Sequence, residues 1–228
     1  MPKKIIIAID GPAGSGKSTA AKNIAQRLGF TYLDTGAMYR AITFIAIRNG
    51  ISENVSAVID LVRNIDLKLK FENGITRVFL NNEEVTEQIR SSEVNAKVSD
   101  ISKIPEVREE LVKIQKRLGA EGNVVAEGRD VTTVVFPDAD LKIFLTASID
   151  TRAKRRLREF QEKNIRVSFE EIKDNLEKRD KIDSSREISP LKKADDAIEY
   201  DNSDVTPEQD FEYLLEKIKQ VLSKNEVD

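Results

Sequence analysis

The 228-residue chain has no cysteine and no histidine. Without cysteine there are no disulfides, which suits a cytoplasmic protein. With both residues missing, a structural zinc site is not expected, and mechanisms that depend on a thiol or an imidazole are excluded. No stretch reaches the roughly 18 apolar residues of a membrane span, so no membrane partner is expected. Lys3 and Lys4 precede an apolar run, but Asp10 and the following glycines cut it short. That is too brief for a signal peptide, and the segment reads as a buried strand. Neither charge dominates: 37 Lys and Arg stand against 40 Asp and Glu. A broad nucleic-acid-binding face, which carries a strong basic excess, is therefore not expected. Few aromatics (6%) and many charges (34%) describe a heavily solvated surface with several polar helices. There is no internal repeat and no low-complexity tract. The length accommodates one packed domain with an insertion or two small ones, and residues 1–228 are read as one domain.

What the chain does contain begins at Ile5. Five mostly branched apolar residues run into Gly11-Pro12-Ala13-Gly14-Ser15-Gly16-Lys17-Ser18-Thr19. This is G-x-x-x-x-G-K-[ST] with a strand before it and a helical pattern after it, the arrangement of a phosphate-binding loop. Glycines at 11, 14 and 16 let the backbone curl so that several N–H groups face one anion. The helix behind adds its positive dipole end and its unpaired first-turn donors. Lys17 can reach the outer phosphates of a nucleoside triphosphate, and the Ser18 hydroxyl is a hard oxygen ligand suited to Mg²⁺.

Further along, Ala20, Ile24, Ala25 and Leu28 recur at helical spacing, with Gly29 as a C-terminal cap. A short strand is expected over 30–33, ending at Asp34, then a helix over 38–47 stopping near Asn49-Gly50. Residues 65–71 alternate with period two, Asn73-Gly74 signals a hairpin, and 75–80 supplies its second strand. Asn81-Asn82 marks another turn. A small antiparallel sheet is therefore expected as an insertion over about 63–90. Helices are expected over 92–101, 106–118, 149–163 and 169–182, and buried strands over 123–127 and 141–145. A last strand over 197–200 precedes a helix opened by Thr206-Pro207. Strands alternating with helices imply an α/β fold, a parallel sheet covered by helices on both faces. Ligands in such folds sit beyond the carboxyl ends of the strands, where the phosphate loop lies.

Several separate blocks carry a closer likeness. Asp34-Thr-Gly-Ala-Met-Tyr-Arg40, Val107-Arg108-Glu109, Gly128-Arg-Asp130 with Thr133-Val-Val-Phe-Pro137, and Arg179-Asp180 with Asp183 and Arg186 resemble the bacterial cytidylate kinases, in the family's order and near its spacing. The resemblance spans almost the whole chain. It implies a P-loop nucleoside monophosphate kinase core, with the inserted antiparallel sheet on the monophosphate side and a short helical lid at about 152–170. It implies transfer of the ATP γ-phosphoryl group to CMP and dCMP, a phosphotransferase with a phosphate group as acceptor, using Mg²⁺. By the same likeness, Lys17, Arg40 and Arg129 are catalytic, the last two gripping the acceptor's phosphate. Asp130 stands near the cytosine amine, with Thr35, Arg108 and Arg186 completing the base site, and Ser99, Arg179 and Asp183 meet the sugar. Thr35 replaces the serine common in the family and keeps the hydroxyl.

The chemistry is consistent without the name. Phosphoryl transfer needs positioning and charge stabilisation more than a nucleophilic side chain, and arginine supplies planar, permanently charged forks. A carboxylate accepting from cytosine N4 is a known readout. In the helix after 145, Arg152, Arg155 and Arg156 share a face at about 100° per residue, and Arg152 and Arg156 are taken as ATP-binding. Asp34 and Glu127, at strand ends, could orient metal-bound water or equally fix Lys17 or a loop amide. Rival readings are a kinase for UMP or shikimate, a regulatory GTPase (no N-K-x-D tetrapeptide is present) and a binding module without catalysis. Nothing points to a large exposed apolar interface, so a monomer is expected.

Overall fold

The computed structural model describes residues 4–72, 74–162 and 164–225. Strands β1 (Ile6–Asp10), β2 (Thr31–Asp34), β6 (Val124–Gly128), β7 (Leu141–Thr146) and β8 (Ile198–Asp201) form one sheet in the order β2-β6-β1-β7-β8. Every neighbouring pair in it is parallel. The central strands β1, β6 and β7 are near-continuous apolar runs because both faces are covered, whereas edge strand β8 alternates half-buried and exposed residues. Alternate residues feed opposite cores. Ile7 and Ile9 of β1 and Val125 of β6 pack against Ala20, Ala21 and Ile24 of α1 (Lys17–Leu28) and Leu214 and Ile218 of α8 (Pro207–Asn225). Ala8, Val124 and Ala126 face the other way, onto α2 (Thr35–Arg48), α3 (Val55–Asn64), α4 (Ser92–Ile101) and α5 (Pro105–Gly119).

Between α3 and α4 lies the antiparallel sheet β3-β4-β5, formed by Leu67–Glu72, Ile75–Leu80 and Glu83–Glu84. Gly74 has φ 73°; Asn73, the other half of the expected hairpin signal, lies outside the described residues. Asn81 and Asn82 both have positive φ, as a tight turn between β4 and β5 requires. After β7, α6 (Ile149–Glu162) and α7 (Phe169–Ser184) pack together around Ala153, Ile172 and Leu176, and Ala13 of the phosphate loop joins that core. The expected end of α6 at Lys163 lies outside the described residues.

Some boundaries differ from expectation for visible reasons. Helix α2 starts at Thr35 rather than 38, because Asp34 caps it by accepting a hydrogen bond from the Ala37 N–H at 2.8 Å. Strand β3 starts two residues late, since 65 and 66 form the connection from α3. Helix α3 was not expected at all. It starts on an Asn54 cap and buries Val58 and Val62, and the i, i+3, i+4, i+7 spacing of Val55, Val58, Ile59 and Val62 was a helical signal that the sequence reading passed over.

Candidate active site

The loop from Gly11 to Thr19 joins β1 to α1. Gly14 and Gly16 adopt φ of 77° and 93°, the left-handed region. Gly11 is required by close approach: a Cβ there would stand 1.9 Å from the Leu145 carbonyl oxygen of β7. The Lys17 ammonium is buried and donates to the Pro12 carbonyl at 2.8 Å and to Ser15 Oγ at 3.4 Å. Burial pushes it down to about 7, and the nearby Arg129 charge adds to the fall, while Glu127, Asp10 and Asp183 oppose it. Ser18 Oγ donates to Glu127 Oε1 at 2.6 Å, and the Tyr32 hydroxyl reaches the same oxygen at 3.1 Å.

Opposite the loop, residues from five segments converge. Arg40 of α2 pairs with Asp34 at 3.2 Å. Arg129 follows β6 and donates through Nε to Asp183 Oδ2 of α7 at 2.8 Å and through a terminal nitrogen to the Gly128 carbonyl at 3.2 Å. Arg186 donates to the Asp183 carbonyl at 3.2 Å and lies 3.5 Å from its carboxylate. Arg108 of α5 pairs with Asp130, donates to the Ser102 carbonyl at 3.1 Å and lies over the Tyr39 ring. Arg179 is pushed down to about 10 by burial and by the charges of Arg129, Arg40 and Arg156, against the pull of Asp183. Burial alone would raise Asp183, but Arg129 and Arg186 hold it below the usual carboxylate range. Burial lowers Arg186, and Arg108 and Arg129 add to that. The Nε atoms of Arg40, Arg108 and Arg179 are buried without a hydrogen-bond partner. Buried guanidinium groups with unmet donors, sharing the carboxylates of Asp34, Asp130 and Asp183, form a site with room for a further anion.

The two halves lie within electrostatic reach of each other. Lys17 and Arg129 lie close enough to depress the lysine, so an anion between them would meet both cations. Thr35 Oγ1 donates to the Glu127 carbonyl at 2.8 Å and fills the space beside Gly128, where a Cβ would stand 2.4 Å from it. Ser99 sits half-buried on α4, which packs against α7. The arginine face of α6 is divided. Arg152 is buried, donating to the Ala147 and Ala13 carbonyls at 3.0 Å each and pairing with Asp180 at 2.6 Å. Arg155 binds Asn202 and reaches the Ser15 carbonyl at 3.4 Å. Both brace the loop from behind. Arg156 pairs with Glu159 at 2.6 Å and sits over Phe160, within electrostatic reach of Arg179.

Two residues escaped the sequence reading. Asn202 is buried just past β8, and its amide donates to the Ser15 carbonyl at 3.0 Å. Asp10 ends β1 and accepts hydrogen bonds across the sheet end. Both stand at carboxyl ends of strands, and that position was the available signal. Among the described residues no group of three or more His, Cys, Asp or Glu could hold a metal, and no helix is long and apolar enough to cross a membrane.

Comparison with known proteins places the chain in a family. A family model described as "Cytidylate kinase" matches residues 7–220. Curated relatives named cytidylate kinase include one from Streptococcus agalactiae serotype V, 50% identical over 96% of this chain and 97% of its own. Another, from Streptococcus uberis, is 50% identical over 96% of this chain and 98% of its own. Among solved structures, an uncharacterised protein from Eubacterium ventriosum aligns with a TM-score of 0.53 at 14% identity, over 96% of this chain and 99% of that one, a likeness of fold alone.

Proposed function

The chain belongs to the cytidylate kinase family, and from that premise we propose how its residues move the γ-phosphoryl group of ATP onto CMP and dCMP, giving ADP and the cytidine diphosphates. The observation that carries this reading is the cluster of buried guanidinium groups with unmet donors, Arg129 among them within electrostatic reach of Lys17 in the phosphate loop. Loop amides from Gly11 to Thr19 bind the donor phosphates, and Lys17, charged once an anion arrives, neutralises the transferring group. Arg40 and Arg129 hold the acceptor phosphate and aim its oxygen at that group. Asp130 accepts from the cytosine amine while Arg108, Arg186 and Thr35 donate to the base's acceptors. Asp183 accepts from a ribose hydroxyl, with Arg179 and Ser99 beside it.

The donor set fits magnesium. Ser18 and Glu127 present hard oxygens side by side, and the lack of a larger acidic cluster among the described residues suits an ion held mainly through substrate phosphates. Mg²⁺ bound there would offset charge on the β- and γ-phosphates. The α6–α7 pair serves as the lid, about 152–170. Arg156 closes toward the triphosphate from that lid, and Arg152 supports the loop through the Ala13 carbonyl. The enzyme works as a cytoplasmic monomer.

A coupled ADP-release assay with CMP, dCMP, UMP, AMP and shikimate as acceptors, and ATP and GTP as donors, tests the assignment. Turnover is expected with CMP and dCMP; a preference for shikimate or AMP would overturn it.

A further inference from the structure

Asp10 is fully buried at the last position of β1, one residue before the phosphate loop begins and in register with Gly128 at the end of β6. Its Oδ1 accepts a hydrogen bond from the Val131 N–H at 2.9 Å. Its Oδ2 accepts from the Thr132 N–H at 2.7 Å and from the Thr132 hydroxyl at 2.6 Å. These two N–H groups open the π-helical turn Val131–Val135, where helical backbone leaves donors without internal partners. The same turn closes back on Asp130, whose carbonyl accepts from Val134 at 2.9 Å. The backbone that carries Arg129 and Asp130 is thus held on its far side by a residue of the donor strand. A fully buried carboxylate is a costly way to close a turn unless every lone pair has a donor, and here three donors meet it.

We propose that Asp10 is a positioning residue: its carboxylate fixes the Val131–Val135 turn so that Arg129 and Asp130 stand ready for the monophosphate, tying the acceptor clamp to the strand that bears the donor loop. The inference rests on the reading of Arg129 and Asp130 as acceptor-binding groups. Asparagine in place of Asp10 keeps size and shape but offers one accepting oxygen and an amide that cannot accept. One of the turn's donors then loses its partner and the turn shifts. Valine in place of Thr132 removes only the hydroxyl bond, whereas serine keeps it.

The test is steady-state kinetics with CMP and ATP varied separately, on Asp10→Asn, Thr132→Val, Thr132→Ser and Asp130→Asn, with thermal melts alongside. Asp10→Asn is expected to raise KM for CMP roughly tenfold, the scale of one lost charge-assisted hydrogen bond, while KM for ATP stays within about twofold. Thr132→Val is expected to show the same split at smaller size, and Thr132→Ser to restore the parent values. A lowered melting temperature with both KM values unchanged, or equal rises in both, overturns the proposal. If Asp10→Asn does not fold, the split between Thr132→Val and Thr132→Ser decides the matter alone. If Asp130→Asn leaves KM for CMP unchanged, the clamp reading itself fails. If Asp130→Asn raises it and the Asp10 and Thr132 variants do not, only the positioning role fails.

Discussion

From Gly11 to Thr19 an anion site is made of consecutive backbone, shaped by glycines and charged by a single lysine. The site facing it is made of side chains, with Arg40 from α2, Arg108 from α5, Arg129 from the end of β6, Arg179 from α7 and Arg186 just beyond it. The first costs conformational restriction, and because its amide dipoles bear no net charge its electrostatic cost is confined to the one buried lysine, pushed down to about 7. The second costs desolvation and mutual repulsion, with Asp183 as the central counter-charge. A polyanion therefore has more to relieve on the arginine side than on the loop side. This contrast says which half of the molecule depends most on its ligand for order.

Four experiments can break or sharpen the contrast. Lys17→Ala removes the loop's only ammonium, and turnover is expected to fall roughly 10³-fold with the circular dichroism spectrum of a folded protein retained. A rate within about threefold of the parent would mean that the loop's amides suffice. Asp183→Asn should strike the other half. Losing the carboxylate among buried guanidinium groups is expected to cost about 3–5 kcal/mol in urea unfolding of the nucleotide-free protein. Added inorganic phosphate should then raise the variant's melting temperature more than the parent's. Identical unfolding midpoints would show that the cluster is not under electrostatic strain.

Gly11→Ala probes the backbone half by steric means. The new methyl would meet the Leu145 carbonyl, and an overpacking loss of about 1–3 kcal/mol is expected, read by the same unfolding assay. The smallest effect concerns protons. Lys17 loses its proton near 7 in the folded, ligand-free protein and near 10.5 when unfolded. Between those values the unfolded chain binds the extra proton, so this lysine's contribution to stability rises with pH from about 7 to 10.5. Binding of ATP restores its charge and should draw in a fraction of a proton at pH 8 and almost none at pH 6. Calorimetry of ATP binding in two buffers of different ionisation enthalpy measures this, with Lys17→Ala as the control. No uptake at pH 8 would mean that the lysine is already charged.

The same contrast governs what could be read without a structure. The phosphate loop is legible because its pattern is contiguous, and the central strands β1, β6 and β7 announced themselves as short apolar runs. The convergence of Arg40, Arg129 and Arg179 was not readable from their own surroundings, since an isolated arginine in a charged segment looks like a solvated ion pair. Only the likeness of whole blocks to a known family singled them out. Arg152 and Arg155 illustrate the limit. Helical spacing puts them on one face with Arg156, but spacing is silent on what that face meets, and these two brace the loop from behind. Asp10 and Asn202 carried no motif of their own; the Val131 N–H that meets Asp10 lies 121 positions away and the Ser15 carbonyl that meets Asn202 lies 187 away.

The sequence by itself determined the glycine-rich loop between β1 and α1, the alternating strands and helices, and the small hairpin, because each depends on local backbone preference and on apolar periods of two or 3.6 residues. Only the tertiary structure decided that Arg129 and Arg186 meet Asp183, that Arg129 comes within electrostatic reach of Lys17, and that Asp10 reaches from β1 to the turn after Asp130. Those relations depend on desolvation and on distances across a folded sheet, quantities that exist only once remote segments are packed together.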